Sequence, residues 1–582
     1  MRRLPVVLML LLFTLPAWAG VEVAIHGLGS DEQHNVQAQL ALLAYAKSLE
    51  GKPPDAAEVE RLNTQAPADI RRALQPFGWY SPTIKSALKH HGDDWRAEYT
   101  VNAGPQTDIS AIDIQLTGAG AKQPALVHAR RHHWPLEKGK RLKHQDYETV
   151  KQRLLDRAHS LGYLNARYTR HVLQVNPPAR TAQVLLTLDT GPRYYFGAVT
   201  IDQDHPHLQE RVIRRYLTVV PEQPFESDKV LSSQFALSDL GYFNTVSVQP
   251  QRDKMSEDHH IPVLVRVSYA KPRIYRFGAG YGTDTGARAL AGIQFRRLNS
   301  RGHSLSLDLR PSQNISTAIA DYRIPIGSVP GQMFDVTAEG LQQNFQGIDE
   351  RLYSLSLARI QLKGAWQKRY YLTYADDRYT IGGEPRRYST LLTPGISFSH
   401  TSVDNAIYPR HGWYAFLDLH GATSADQLSN VNFLSAHLKL RGVVPITWRL
   451  RLLARAEEAA LVTSRFDRLP PSQRFFAGGA DSVRGYSYQS LAPLNAFGRV
   501  AGGKYLTTGS LELDWDLRRP YGLAAFVDAG GADDVPNVRL HFGAGIGFRY
   551  LAPFGAIAID FAHPFDRGAS LVRLHLGVRV GL

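Results

Sequence analysis

The sequence predicts a composite fold: α+β modules of order β-α-α-β-β, three in tandem, followed by an all-β antiparallel transmembrane barrel of about 16 strands. Three observations predict it. A glycine-aromatic signature recurs through the first half, the second half turns to short alternating apolar and polar runs, and the chain opens on an export signal.

The export signal is first in chain order. Arg2 and Arg3 lead a 13-residue apolar run from Leu4 to Pro16, and Ala17-Trp18-Ala19 supplies an A-x-A cleavage site. Residues 1–19 are expected to leave as a signal peptide, with Gly20 first in the mature chain. The run is too short to cross a bilayer as a helix, and no run of about 18 apolar residues occurs elsewhere, so helical spans are not expected. None of the 582 residues is a cysteine, which removes disulfides, thiolate chemistry and zinc-thiolate sites. The net charge of +14 falls to +12 without Arg2 and Arg3. On an exported chain this basic excess suits anionic lipid head groups, lipopolysaccharide, an acidic protein or a plain solvated surface, and not nucleic acid.

Between Val21 and about Ala270 the signature reads Gly78-Trp79-Tyr80, Gly162-Tyr163-Leu164 and Gly241-Tyr242-Phe243, at separations of 84 and 79 residues. Helix-like sequence precedes each (Ile70–Leu74, Val150–Leu161, Val230–Leu240), and a short alternating segment such as Thr245–Val248 follows. A glycine after a helix fits a position needing positive φ, and the aromatic beside it anchors the next strand. Each unit closes near a proline, at Gly104-Pro105, Gly191-Pro192 and Lys271-Pro272. The modules are thus drawn at 20–105, 106–192 and 193–271, each with a small core of its own.

In the block 272–582, Leu511, Leu513, Trp515 and Leu517 alternate with Ser510, Glu512, Asp514 and Asp516. Leu305, Leu307 and Leu309 alternate likewise with Ser306, Asp308 and Arg310, and Leu434, Ala436, Leu438 and Leu440 with Ser435, His437 and Lys439. A soluble sandwich turns such an apolar face inward, whereas a membrane barrel turns it to lipid; periodicity alone does not separate the two. The export signal, a region of about 310 residues and a last strand running to the chain end favour the barrel. At about 19 residues per strand and loop the region holds about 16 strands. The last strand alternates Leu574, Leu576, Val578, Val580 and Leu582 with Arg573, His575, Gly577, Arg579 and Gly581. The first, Ile274–Gly282, contains Gly278, Gly280 and Gly282, so the seam between first and last strands is expected to be weak.

Arg474–Tyr486, RFFAGGADSVRGY, sets Arg484 among glycines and aromatics in this block. A guanidinium at membrane depth calls for an anionic partner or a water-filled lumen. The tandem modules resemble POTRA domains, periplasmic units that offer sheet edges to client strands. Val483-Arg484-Gly485-Tyr486, its approach Phe475-Phe476-Ala477-Gly478-Gly479, and Phe526-Val527-Asp528-Ala529-Gly530 together resemble the BamA/TamA family of outer-membrane assembly proteins. Tyr322–Pro325, Asp404–Gly412 and Gly543–Tyr550 extend the resemblance, and the last strand is similar to the family's C-terminal insertion signal, although it ends on Leu582 and not on an aromatic.

The resemblance implies an extracellular loop folded back into the barrel, with Arg484 paired to Asp528 on the wall. It also implies an outer-membrane location with the POTRA modules in the periplasm. Three modules and a mature length of about 560 residues look most like the family's TamA branch. That branch is expected to act with a TamB-like, inner-membrane-anchored periplasmic partner. Its expected role is to promote insertion of autotransporters and other nascent β-barrel clients by β-augmentation and lateral opening of the first/last strand seam, in contact with outer-membrane lipids. A two-partner-secretion-type transporter and phospholipid transport to the outer membrane are the competing readings. The first would favour two modules and a plugging helix.

No H-E-x-x-H, G-x-S-x-G or Walker A motif occurs, so neither catalysis nor a cofactor is expected. The pairs His90-His91, His132-His133 and His259-His260 read as surface and not as metal ligands, since strand neighbours point to opposite faces. Arg130, Arg131, Arg141 and Lys143 read as a solvated basic face or a partner site.

Overall fold

The computed structural model describes residues 20–50, 52–92, 94–132, 135–424, 428–566 and 572–581. The expected signal peptide, His133 and Leu582 lie outside these residues. Two compact units emerge: the chain through Val199 with Val219–Val230 and Pro250–Val263, and Thr200–Thr218 with Leu231–Gln249 and everything from Leu264 onward.

The first module comprises β1 (Val21–His26), α1 (Ser30–Gln39), α2 (Ala41–Ser48), α3 (Ala56–Leu74), β2 (Thr83–His91) and β3 (Asp94–Asn102). Its sheet order is β1-β3-β2. In α3, Val59, Leu62, Ala66, Ile70 and Ala73 recur at helical spacing and are buried against Trp95 and Tyr99 of β3. The module carries one helix more than the expected β-α-α-β-β. Leu40 adopts an extended conformation (φ −76°, ψ 109°) and divides the first helical stretch in two. Its side chain is buried in the core, and neither glycine nor proline marks the break.

The second module follows the expected order: β4 (Asp108–Thr117), α4 (Pro124–Arg131), α5 (His144–Ser160), β5 (Arg167–Asn176) and β6 (Thr181–Asp189). So does the third, with β7 (Tyr195–Gln203), α6 (Glu210–Arg214), α7 (Ser227–Asp239), β8 (Phe243–Pro250) and β9 (His260–Tyr269). Their sheets are ordered β4-β6-β5 and β7-β9-β8. Gly78, Gly162 and Gly241 all take the left-handed conformation, with φ of 84°, 91° and 70°, as helix-terminating glycines do.

The remaining strands form one sheet of 16 in sequence order, each antiparallel to the next. They are β10 (Arg273–Gly282), β11 (Gly286–Phe295), β12 (Ser304–Arg310), β13 (Ile315–Pro325), β14 (Met333–Phe345), β15 (Ile348–Lys363), β16 (Trp366–Ile381) and β17 (Arg387–Val403). Then come β18 (Gly412–Ala422), β19 (Phe433–Pro445), β20 (Leu450–Thr463), β21 (Tyr505–Arg518), β22 (Tyr521–Asp533), β23 (His541–Ala552), β24 (Gly555–Pro564) and β25 (Arg573–Arg579). The faces decide between sandwich and barrel. On β21, Leu511, Leu513, Trp515 and Leu517 are exposed while Ser510, Glu512, Asp514 and Asp516 are buried, which is the lipid-out, charge-in arrangement. No described helix is long and apolar enough to cross a membrane. β25 ends at Arg579, short of the expected run to the chain end. Gly581 turns away with φ 73°, and its N–H donates to the Ile407 carbonyl at 2.9 Å.

Candidate functional site

The long connection between β20 and β21, residues 464–504, packs onto the barrel wall at several places. Val483 and Tyr486 join Ala477 and Leu491 in an apolar cluster with Ala459, Leu506 and Ala532 of the wall. Phe476 and Tyr488 pack with Phe345, Ile348 and Tyr379 on other strands. Gly478, Gly479 and Gly485 carry φ of 101°, 107° and 98°, a region costly for residues with a Cβ, so the sharp path of this segment depends on them.

The path delivers Arg484 to a fully buried position. Its Nε donates to Asp528 Oδ2 at 2.7 Å and its Nη2 to Asp528 Oδ1 at 2.8 Å, a bidentate fork on β22. The backbone N–H of Arg484 donates to the same carboxylate at 3.0 Å. Nη1 reaches Glu512 of β21 and, at 3.2 Å, Asp560 of β24. Nη2 also donates to Ser510 Oγ at 3.2 Å, and the guanidinium carbon lies 3.3 Å from the Phe526 ring centroid.

Two further arginines share these acids. Arg549 of β23 donates to Glu512 at 2.7 Å and to Asp560, and Arg579 of β25 donates to Glu512 at 2.6 Å and Asp560 at 2.7 Å. The cluster therefore sets Arg484, Arg549 and Arg579 against Glu512, Asp528 and Asp560, a balance of charge that offsets the cost of burying each ion. The carboxylate row of β21 continues outward from it. Asp514 pairs with Arg451 at 2.7 Å, and Asp516 pairs at 2.9 Å with Arg410 of the Asp404–Gly412 segment.

Register explains how the strands make room. Ser510 faces Asp528, and Asp528 faces Gly543 across β22 and β23. A Cβ on Gly543 would lie 2.0 Å from the Arg484 carbonyl oxygen, and one on Gly545 would lie 2.6 Å from the Phe526 ring. The inward glycines of β23 thus form the recess that the loop tip enters.

Sequence reasoning paired Arg484 with Asp528 alone and missed Glu512, Asp560, Arg549 and Arg579. A signal for some of them was present. Glu512 lies on the charged face of the β21 alternation, Arg549 in the Gly543–Tyr550 segment and Arg579 on the polar face of the last strand.

The seam residues lie where β10 and β25 end the sheet order. These two strands share no ladder among the described residues. Gly278 and Gly280 face Leu290 and Arg288 of β11, nothing stands within 4 Å of a Cβ built on Gly577, and Gly581 lies beyond β25.

The other candidates resolve differently. His90 and His91 are exposed, His132 stacks on His128 with ring centroids 4.0 Å apart, and His260 lies 3.1 Å from Glu222. Among the described residues no group of three or more His, Cys, Asp or Glu is gathered to hold a metal. Arg141 is not part of a free basic face: it stacks over Trp79, 5.0 Å from the ring centroid, where the first and second modules meet. Beside it, Tyr80 Oη lies 2.6 Å from His144 Nε2.

Apolar strands facing outward, charge facing inward, and a loop pinned inside by buried ions define a membrane β-barrel protein, here preceded by tandem α/β modules. Residues 331–577 match the Omp85 superfamily domain, residues 22–103 match POTRA domain TamA domain 1, and residues 194–268 match a POTRA domain described as surface antigen variable number repeat. Residues 331–577 thus carry an Omp85-type barrel domain, with matches to POTRA domains ahead of it. The chain is similar to the outer membrane protein assembly factor BamA of Neisseria meningitidis serogroup B, 20% identical over 74% of this chain and 62% of that protein. The BamA of Nitratidesulfovibrio vulgaris is 21% identical over 71% of this chain and 53% of that protein. The chain thus spans less than two thirds of the length of either relative. In fold it is similar to the crystal structure of BamA from Haemophilus ducreyi lacking POTRA domains 1-3, with TM-score 0.64, 16% identity, and coverage of 81% of this chain and 98% of that one.

Proposed function

We propose that this chain is an outer-membrane assembly factor of TamA type. It promotes insertion of autotransporters and other β-barrel proteins, with its POTRA modules in the periplasm and a TamB-like partner supplying the link to the inner membrane. The observation that carries the reading is the seam, where the end strands β10 and β25 of the 16-stranded sheet share no ladder among the described residues, the kind of edge an incoming strand can pair with. Support for the TamA branch comes from the match of residues 22–103 to a TamA POTRA domain. In this reading Arg484 and Asp528 hold the loop in the barrel, Val483, Gly485, Tyr486, Gly478 and Gly479 shape its tip, and Gly278, Gly280, Gly282, Gly577 and Gly581 keep the seam weak. None of these groups is assigned a catalytic role.

Phospholipid vesicles containing the full chain should accelerate insertion of a urea-unfolded autotransporter barrel over empty vesicles, measured by the appearance of heat-modifiable client. Equal rates in the two vesicle types would overturn the reading.

A further inference from the structure

Although β10 and β25 share no ladder among the described residues, the turn after β10 and β25 itself both reach one short stretch of the inward loop. The Ala480 N–H donates to Asp284 Oδ2 at 2.8 Å, and Asp284 sits in the turn joining β10 to β11. Five residues further along the loop, the Gly485 N–H donates to His575 Nε2 on β25 at 3.0 Å. Directly across the seam, among the described residues, one long hydrogen bond runs from the Leu576 N–H to Thr283 Oγ1 at 3.4 Å.

The local chemistry suits a bridge. His575 is 2% exposed and accepts at Nε2, which requires the neutral ring with its proton on Nδ1. Gly479 comes so close to Asp284 that a Cβ would stand 2.9 Å from Oδ2, and a Cβ on Gly485 would stand 3.0 Å from the Pro564 nitrogen. At both ends of the stretch, glycine lets the loop backbone reach a seam side chain. Neither Asp284 nor His575 belongs to the carboxylate-guanidinium cluster, so their contacts with the loop are separate from the Arg484 anchor.

We propose that Gly479–Gly485 is a clasp across the seam, with Asp284 and His575 as the positioning residues that hold the first hairpin and the last strand to the loop in place of a ladder. Arg484 and Gly485 are adjacent, so withdrawing the guanidinium from Asp528 also withdraws the Gly485 donor from His575. Release of the Arg484 anchor thereby also loosens the β25 side of the clasp. This inference rests on the reading above that the seam opens during function.

The test uses the full cysteine-free chain in phospholipid vesicles, with Thr283→Cys and Leu576→Cys as a reporter pair. Disulfide formation under mild oxidant reports seam closure, and heat-modifiable migration reports a folded barrel. In this background Asp284→Ala and His575→Phe should each slow cross-linking about fivefold, the population shift expected for one net hydrogen bond. His575→Gln, which keeps an acceptor, should restore most of the rate. Folded Asp284→Ala and His575→Phe barrels that cross-link as fast as the parent would overturn the clasp. If His575→Phe does not fold, Asp284→Ala, placed in a turn, decides alone by the same criterion. A failed clasp leaves the vesicle insertion assay unaffected, and a failed insertion assay leaves the cross-linking difference intact, so the two ideas fall separately.

Discussion

Arg484 exchanges its hydration for a fork on Asp528, two more carboxylates and an aromatic face. Removing one member of such a buried set strands the charge it neutralised. Asp528→Ala should therefore destabilise the folded barrel by about 3–5 kcal/mol in a urea titration of heat-modifiable protein, and a change near zero would contradict the ion-pair account. Arg484→Lys, which keeps charge but loses the fork, should cost less than Arg484→Ala. Gly543→Ala tests the recess instead of the charge. Its Cβ would meet the Arg484 carbonyl, so the loop should lift and residues 464–504 become susceptible to limited proteolysis, with Asp528 left in place. The pairing with Asp528 was legible because a short motif carries each partner. The inward position of Glu512 was legible from the β21 alternation, but its meeting with Arg484, like that of Asp560, was not, because which inward side chains meet depends on strand stagger and on the loop's path.

Among the elements, β21 was the most legible, since a strict two-residue period with a charged face leaves one register once lipid covers the other side. The extra helix break of the first module was not legible, because Leu40 terminates α1 through its burial and carries no turn-forming signal. Alternation also continues past Arg579 without marking where β25 stops; the positive φ of Gly581 sets that limit. The junction of the first two modules yields a pH prediction. Burial pushes the Tyr80 hydroxyl up to about 12, so it stays protonated beside His144, whose own pKa burial lowers. The folded His144 thus binds its proton less readily than the unfolded one. Its contribution is present above the ordinary histidine value of about 6.5 and is lost as pH falls below it. Thermal unfolding of the module region in the full chain should soften between neutral and mildly acidic pH, and His144→Gln should flatten that dependence. An unchanged slope in the variant would remove His144 from the account.

At the scale of the whole molecule, the barrel segment combines a strongly held interior with a weakly closed edge. Among the described residues fifteen adjacent strand pairs are laddered in sequence order, whereas the two end strands share no ladder. In the proposed reading, such a sheet keeps its cylinder while its edge is available for β-augmentation, and the POTRA sheets offer further edges. A strand number of about 16 followed from region length at about 19 residues per strand and loop, together with the family resemblance. The missing ladder was suggested only by the glycines of the first strand, because pairing between chain-distant strands leaves little trace in either one. The central claim is that the chain works by opening this seam, and a reversible lock tests it most directly. With Thr283→Cys and Leu576→Cys oxidised in vesicles, insertion of an unfolded autotransporter barrel should drop to the empty-vesicle rate and return on adding reductant. Insertion that proceeds equally with the seam locked and unlocked would contradict the account.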